Sequence, residues 1–158
     1  MQMVTLPHNN KNMKEYFEKN PQAIPYLDRL ETEWEQYGKI IIACDYDDTL
    51  SPWKLEGFDP SRVIEVLKAA KQTGAYIVIF TACHENRYPE IIEYCKSHGL
   101  DIDGINKNPL DLPYGNERKI YANVFLDDRA GLNEALTILE MAMYRIRGKC
   151  VSRTLLNV

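Results

Sequence analysis

Three short apolar runs limit how this 158-residue chain can fold. Residues 40–44, 76–80 and 123–126 are predominantly apolar, a pattern typical of strands that are buried on both faces. A weaker strand pattern lies at residues 101–105. Amphipathic helical patterns separate and follow these runs, at residues 59–74, 89–99 and 131–147. Strands that alternate with helices predict an α/β fold, a three-layer Rossmann-like sandwich with a parallel sheet.

The segment before the first strand has a helical pattern of its own. Residues 11–19 and 23–37 predict two N-terminal helices. The second has an apolar stripe that is expected to pack on the main body, formed by Ile24, Leu27, Leu30 and Trp34. We therefore divide the chain into an N-terminal helical extension at 1–38, one α/β domain at 39–150 and a C-terminal tail at 151–158.

Charge and cysteine usage narrow the class of protein. The net charge of −4 disfavours a long nucleic-acid track, because such proteins usually carry a basic face. The four cysteines lack metal-ligand spacing and are expected as reduced thiols. No signal peptide or run long enough to span a membrane is visible, so we expect a cytoplasmic protein without membrane contact.

The residues after the strands are chemically distinctive, and in parallel sheets the carboxyl ends of the strands form the ligand site. They are Asp45, Asp47 and Thr49 after the first run, Thr81 and Ala82 after the second, and Asp127, Asp128 and Arg129 after the last. Lys119 shortly precedes the last run. Clustered carboxylates repel one another unless a cation offsets them, and Mg²⁺ prefers such oxygen ligands. With Thr81 and Lys119 to hold phosphate oxygens, this set predicts metal-assisted phosphoryl transfer.

The same residues resemble the motifs of the haloacid dehalogenase (HAD) superfamily. The run IIACDYDDTL at 41–50 is similar to the first motif, an apolar strand followed by DxDxT. Thr81 resembles the second motif, Lys119 the third, and Asp127-Asp128 the fourth, in the family's order. The resemblance is strongest to small capless members, which include phage-type HAD phosphatases and the phosphatase domain of polynucleotide kinase/phosphatase.

The resemblance implies a role for each matching residue of a Mg²⁺-dependent phosphatase. Asp45 would be the nucleophile that forms an aspartyl-phosphate, and Asp47 the general acid and base. The metal would be held by Asp45, the backbone carbonyl of Asp47 and Asp128, with Asp127 supporting the site. The phosphate would be bound by Thr81, the backbone N–H of Ala82 and Lys119. Thr49, counted among the substrate-binding residues, would also hold the turn that presents Asp47. Arg129 is either a further phosphate-binding residue or the partner of a neighbouring carboxylate in an ion pair.

Two details depart from the family's pattern. Position 48 is aspartate where glycine is commonest, and Lys107 is an alternative to Lys119 for the third motif. The segment at 51–58 is too short for a cap domain, so the expected site is open. Its substrate would be a small phosphorylated molecule, a nucleotide or a nucleic-acid end, met by rim residues that include Trp53, Lys54, Phe58, His84 and Arg87.

Three other classes compete with the phosphatase hypothesis. A receiver-like phosphoacceptor domain uses similar residues, but its acidic pair comes first and its lone phosphoacceptor aspartate two strands later. A toprim-like nuclease would place a glutamate strand before the DxD. A non-catalytic HAD-like binding module is disfavoured because every catalytic position is filled. The sequence carries no signal for the oligomeric state.

Overall fold

The computed structural model of the chain describes residues 2–3, 5–6, 10–108 and 120–156. The helices and strands are α1 Asn10–Lys19, α2 Ile24–Tyr37, β1 Ile41–Cys44, α3 Ser61–Gln72, β2 Tyr76–Ile79, α4 Tyr88–Ser97, β3 Gly104–Ile105, β4 Val124–Leu126 and α5 Leu132–Leu156. Short 3-10 turns occupy Pro21–Ala23 and Glu85–Arg87. Most boundaries lie within two residues of those expected from the sequence.

The strands form one parallel sheet in the order β3-β2-β1-β4. Cys44 at the end of β1 lies opposite both Ile79 of β2 and Leu126 of β4. The next backbone N–H groups continue the ladder, since Asp45 donates to the Leu126 carbonyl at 2.9 Å and Phe80 to the Cys44 carbonyl at 2.8 Å. The three strands therefore end level, and the residues that follow them emerge at one edge of the sheet.

The hydrophobic core joins alternate strand residues to helix residues. Ile42, Cys44, Ile77, Ile79 and Leu126 share one cluster with buried side chains of all five helices in the described part of the chain. These observations confirm the predicted α/β fold, a Rossmann-like parallel sheet with two additional N-terminal helices, consistent with the expected three-layer sandwich.

The N-terminal helices are tied to the domain by packing and by charge. The Trp34 indole is buried and donates to the Thr73 carbonyl at 3.1 Å, which joins α2 to the end of α3. Glu31 of α2 accepts from Arg145 at 2.8 Å and pairs with Lys149 at 2.6 Å, both on α5. Trp34 packs as expected, whereas Ile24, predicted to pack with it, is 37% exposed because it begins α2.

Helix α5 is longer than its sequence pattern indicated. It passes Arg147, where the pattern was expected to end, and continues to Leu156, through most of the segment interpreted as a tail. Its contacts with α2 explain the extension, because Lys149 lies beyond the apolar stripe and still has two carboxylate partners, Glu31 and Glu35. None of the described helices is both long and apolar enough to cross a membrane.

Candidate active site

A cluster of three carboxylates lies at the edge where β1 and β4 end. Asp45, Asp127 and Asp128 each offer an oxygen, and these atoms all lie within 4.8 Å of one another. Asp45 comes directly after β1, and the aspartate pair comes directly after β4. The level strand ends bring the two segments together. The arrangement combines oxygen ligands from two different loops, which is the kind of donor set that suits Mg²⁺.

Thr49 connects the two halves of the cluster. Its buried hydroxyl lies 3.1 Å from an Asp45 carboxylate oxygen and 3.3 Å from one of Asp128, either of which can accept its hydrogen. The hydroxyl oxygen accepts the Asp128 backbone N–H at 2.9 Å. The Thr49 hydroxyl therefore positions two of the carboxylates, and the expectation that Thr49 binds substrate stays a prediction.

The Asp45 carboxyl has a pKa raised from its ordinary 3.8 to about 6. Burial is the main cause, and the charges of Asp127 and Asp128 raise the pKa further, while the Thr49 hydroxyl opposes them. The charged form of Asp45 is thus disfavoured by its surroundings. A divalent cation would reverse this, because it favours the ionised form of every carboxylate that it contacts.

Asp47 is not one of the three clustered carboxylates and is bound by an arginine. Arg87 donates to both Asp47 oxygens, from Nη1 at 3.1 Å and from Nη2 at 3.2 Å. This contact raises the pKa of the Arg87 guanidinium even further above its usual range. From the sequence alone, Arg87 is expected only as a rim residue. The pairing joins positions 40 residues apart through a 3-10 turn, and no local pattern marks such a contact.

Asp48 adopts a backbone conformation that glycine most often supplies. Its φ of 61° is in the left-handed region, which glycine adopts most easily and which aspartate tolerates better than most residues. The Asp48 carboxylate accepts backbone N–H bonds from Trp53, Lys54 and Leu55 at 2.8–3.0 Å. These bonds hold the pKa of Asp48 below its ordinary value and organise the loop after β1. The Asp48 carboxylate therefore stabilises its own loop.

Thr81 is held at the end of β2 by an asparagine from the loop after β3. Asn106 accepts the Thr81 backbone N–H at 2.9 Å and donates to the Thr81 carbonyl at 2.7 Å. It also donates to the Tyr88 hydroxyl at 2.9 Å. The Thr81 hydroxyl oxygen accepts the Cys83 N–H at 3.2 Å. The hydroxyl hydrogen can therefore still be donated to an acceptor in the cleft. Asn106 was not identified from the sequence.

An open cleft of about 810 Å³ surrounds these groups. The described residues that line it include nearly all of the predicted site: Asp45, Asp47, Asp48, Trp53, Lys54, Phe80, Thr81, Ala82, Cys83, Arg87, Asp127, Asp128 and Arg129. Phe58 and His84, predicted as rim residues, are absent from this lining, and His84 instead caps the 3-10 turn by accepting the Asn86 N–H. Trp53 is 58% exposed.

The cationic side chains at the site differ in whether they form an ion pair. Arg87 is paired, whereas Lys54 and Arg129 form no ion pair within the described ranges. Lys107 is exposed and does not line the described part of the cleft. Lys119, predicted to bind phosphate, lies outside the described residues, and its role stays a prediction.

Comparisons with known proteins give little further information. No family model and no curated protein matches the chain. Among solved structures, the chain is similar to a conserved protein from Bacteroides thetaiotaomicron, with 28% sequence identity and a TM-score of 0.49. The match covers 58% of this chain and 77% of that one.

Proposed function

We propose that the protein is a Mg²⁺-dependent phosphatase that hydrolyses phosphate monoesters through an aspartyl-phosphate, as its resemblance to the HAD superfamily implies. The observation that carries the proposal is the convergence of Asp45, Asp127 and Asp128 within 4.8 Å at the open edge of a parallel sheet. Thr81, from the neighbouring strand, lines the same cleft. Acidic clusters are common in proteins. This one supports a phosphatase because its aspartates come directly after the strands of a parallel sheet, where ligands bind, and in the order of the HAD motifs.

In the first half of the reaction, an ionised Asp45 oxygen attacks the phosphorus atom. The bond between phosphorus and the ester oxygen breaks, and the departing alkoxide takes a proton from the Asp47 carboxyl. The products are a free alcohol and an aspartyl-phosphate on Asp45. Asp45 suits this step because it comes directly after β1 and lines the cleft.

In the second half, a water molecule attacks the phosphorus atom of the aspartyl-phosphate. Asp47, now a carboxylate, takes a proton from that water, and the bond between phosphorus and the Asp45 oxygen breaks. Inorganic phosphate leaves, and both carboxyl groups return to their starting states. One residue thus serves as acid and then as base, which requires Asp47 to reach both the leaving oxygen and the water.

Charge neutralisation is the remaining requirement. Mg²⁺, held by Asp45, Asp128 and the Asp47 carbonyl with support from Asp127, would offset the negative charge of the phosphoryl group and the carboxylates. The Thr81 hydroxyl, the Ala82 N–H and the Arg129 guanidinium are the described groups available to phosphate oxygens. Lys119 would add a further cation.

The rim supports a nucleotide or a nucleic-acid end as substrate. Trp53 presents an exposed ring beside the cleft, and aromatic rings stack on bases with about 1–3 kcal/mol each. Lys54 and Arg129 offer charge to further phosphates. The net charge of −4 argues that any such contact covers few phosphates, so the salt dependence of binding should be shallow.

A phosphatase screen tests the proposal. Purified protein with Mg²⁺ is assayed on nucleoside monophosphates, 3′-phosphorylated oligonucleotides, sugar phosphates and phosphopeptides, with Asp45→Asn as the matched inactive control. We expect turnover of at least one ester, loss of turnover in Asp45→Asn and after chelation, and inhibition by Ca²⁺, which prefers more ligands.

Four outcomes would contradict the proposal. Undiminished activity of Asp45→Asn or of the fully chelated protein would remove its basis, as would inactivity on the whole panel. Stoichiometric phosphorylation of Asp45 by a small phosphodonor without turnover would favour a receiver-like phosphoacceptor instead.

A further inference from the structure

We infer that Arg87 is a positioning residue for Asp47, one that fixes the carboxyl group that exchanges protons during the reaction. The inference rests on the proposed function, since it assigns Asp47 the acid and base role. Its geometric basis is the two-point contact, in which two guanidinium nitrogens meet two carboxylate oxygens at 3.1 and 3.2 Å. Such a contact fixes the plane of the carboxyl group as well as its position.

The guanidinium is itself held from several sides. Nη2 also donates to Glu90 at 3.2 Å. The Arg87 guanidinium carbon lies 4.8 Å from the Trp53 ring centre and 5.8 Å from that of Tyr46. The orientation of Arg87 is therefore not determined by Asp47 alone, because Glu90 at the start of α4 and two aromatic rings also hold the guanidinium.

One of those rings is anchored in the core. Tyr46 is 2% exposed and packs edge-on against Tyr94 of α4, with the ring centres 5.6 Å apart. The Tyr94 hydroxyl donates to the Leu50 carbonyl at 3.0 Å, within the loop that follows β1. The chain of contacts thus links Asp47 to α4 and returns to the loop that carries Asp47.

The arrangement meets a need specific to this site. The Asp47 side chain is 30% exposed and lies outside the carboxylate cluster, so neither burial nor the other aspartates fix its rotamer. A group that must meet the leaving oxygen and then a water molecule loses rate when it is misplaced, by up to about 100-fold for a displacement of about 1 Å. Each Asp47 oxygen that accepts from Arg87 keeps a second lone pair for the proton it exchanges.

A rival role for the same residue is direct binding of the substrate phosphate. Arg87 lines the cleft, and guanidinium groups bind phosphate well. The two roles differ in what they predict. A phosphate contact affects every phosphate ester alike, because the phosphoryl group is common to them all. A residue that positions the proton donor matters most for esters whose leaving group needs a proton.

The experiment compares two esters that differ in this need. 4-Nitrophenyl phosphate releases a weakly basic phenolate that departs without a proton, whereas a nucleoside 5′-monophosphate releases a basic alkoxide. We expect Arg87→Ala to lower kcat for the nucleotide by about 10- to 100-fold and for the nitrophenyl ester by less than about threefold. Arg29→Gln, a change at an exposed arginine that pairs with Glu33 far from the cleft, is the control for loss of charge and should alter neither value.

A double-mutant cycle then tests whether Arg87 acts through Asp47. If it does, the nucleotide kcat of Asp47→Asn with Arg87→Ala should match that of Asp47→Asn alone. The inference is wrong if the kcat losses of the two single variants multiply in the double variant. It is also wrong if Arg87→Ala lowers kcat equally for both esters or for neither. Each of these results leaves the phosphatase proposal intact. Absence of wild-type activity on both esters and on the whole phosphatase panel would instead refute the proposed function.

Folding of each variant is checked by circular dichroism and thermal unfolding. If Arg87→Ala does not fold, Arg87→Lys decides the question, because lysine keeps the charge but has a single donor group in place of the planar fork. The lysine variant should still show a larger kcat loss on the nucleotide than on the nitrophenyl ester. Equal values for both esters in that variant would count against the inference.

Discussion

Replacing Asp45 by asparagine should stabilise the metal-free protein at neutral pH. The pKa of Asp45 is raised from 3.8 to about 6 in the folded state, mainly by burial and also by Asp127 and Asp128. This difference corresponds to about 3 kcal/mol of penalty on the ionised folded protein, and solvent around a partly exposed carboxylate reduces it to about 1–2 kcal/mol. Asparagine has nearly the same shape as aspartate. Its side-chain oxygen can still accept the hydrogen bond that the Thr49 hydroxyl donates to an Asp45 carboxylate oxygen at 3.1 Å.

The pH dependence follows from the direction of the shift. Because the folded pKa of Asp45 lies above its unfolded value, the penalty is absent below about pH 4, grows between about 4 and 6, and is complete above 6. The advantage of Asp45→Asn should therefore be complete at pH 7.5 and should largely disappear by pH 4. Added Mg²⁺ should reverse the order, since a ligand stabilises the folded state that binds it, here the wild type.

Urea unfolding followed by circular dichroism measures both effects. Samples in EDTA are compared at pH 7.5 and 4.5, and the midpoint and slope are fitted together so that a change in stability is separated from a change in the unfolded state. Asp101→Asn is the matched control, because Asp101 is 86% exposed and lies 3.8 Å from Lys71. It should change the unfolding free energy by less than about 0.5 kcal/mol. An Asp45→Asn protein that is less stable than wild type at pH 7.5 in EDTA, or a difference independent of pH, would refute the electrostatic reasoning.

Three further predictions test other parts of the site. Thr49→Val should destabilise the protein by about 1–3 kcal/mol in urea unfolding, because the part-buried Asp128 N–H loses its acceptor. It should also weaken Mg²⁺ binding in a metal titration, whereas Thr49→Ser, which keeps the hydroxyl, should have neither effect. Trp53→Ala should raise KM for a nucleoside monophosphate and not for a hexose phosphate, and a hexose phosphate preferred by the wild type would show that the rim does not recognise bases. Lys119→Ala should lower kcat/KM by about 100-fold or more, and Lys107→Ala only slightly; the reverse order would transfer the phosphate-site role to Lys107.

The features that the sequence predicted correctly share a physical origin. Uniformly apolar runs at 40–44 and 76–80 indicate strands that are buried on both faces, and parallel pairing then aligns their ends. The convergence of Asp45 with Asp127 and Asp128 follows from this alignment, because no side-chain detail is needed to bring strand ends to one edge. The positions of these aspartates were therefore predictable even though their distances were not.

The features that were missed depend on contacts that are distant in sequence. The Arg87 contact with Asp47 requires the 3-10 turn after β2 to aim a long side chain back over β1, and a turn of three residues has no periodicity to read. Asn106, with its φ of 52°, holds Thr81 from a loop that carries no motif. Helix α5 continues to Leu156, and its ion pairs with α2 at Arg145 and Lys149 connect residues far apart in the sequence, which its own apolar stripe does not reveal. Each of these features is set by tertiary structure.

The carboxylates of the site fall into two groups with different electrostatic consequences. Asp47 is offset by the Arg87 guanidinium, and Asp48 by three backbone N–H groups. Asp45, Asp127 and Asp128 form no ion pair within the described part of the chain, although their oxygens lie within 4.8 Å of one another. The first pair is balanced by the protein itself, so the demand for a cation arises from the second group alone.

This division bears on how a phosphate could enter an acidic site. Three carboxylates and one divalent cation leave a net negative charge, which would repel a phosphate dianion. In the proposed site, further positive charge would come from Lys119 and from the rim, where Lys54 and Arg129 line the cleft without an ion-pair partner among the described residues. Pairing of Arg87 with Asp47 keeps that cation out of this balance. In the proposed reaction, the groups that position the proton donor are thus separate from those that attract the phosphate, and substitutions in the two sets should affect kcat and KM differently.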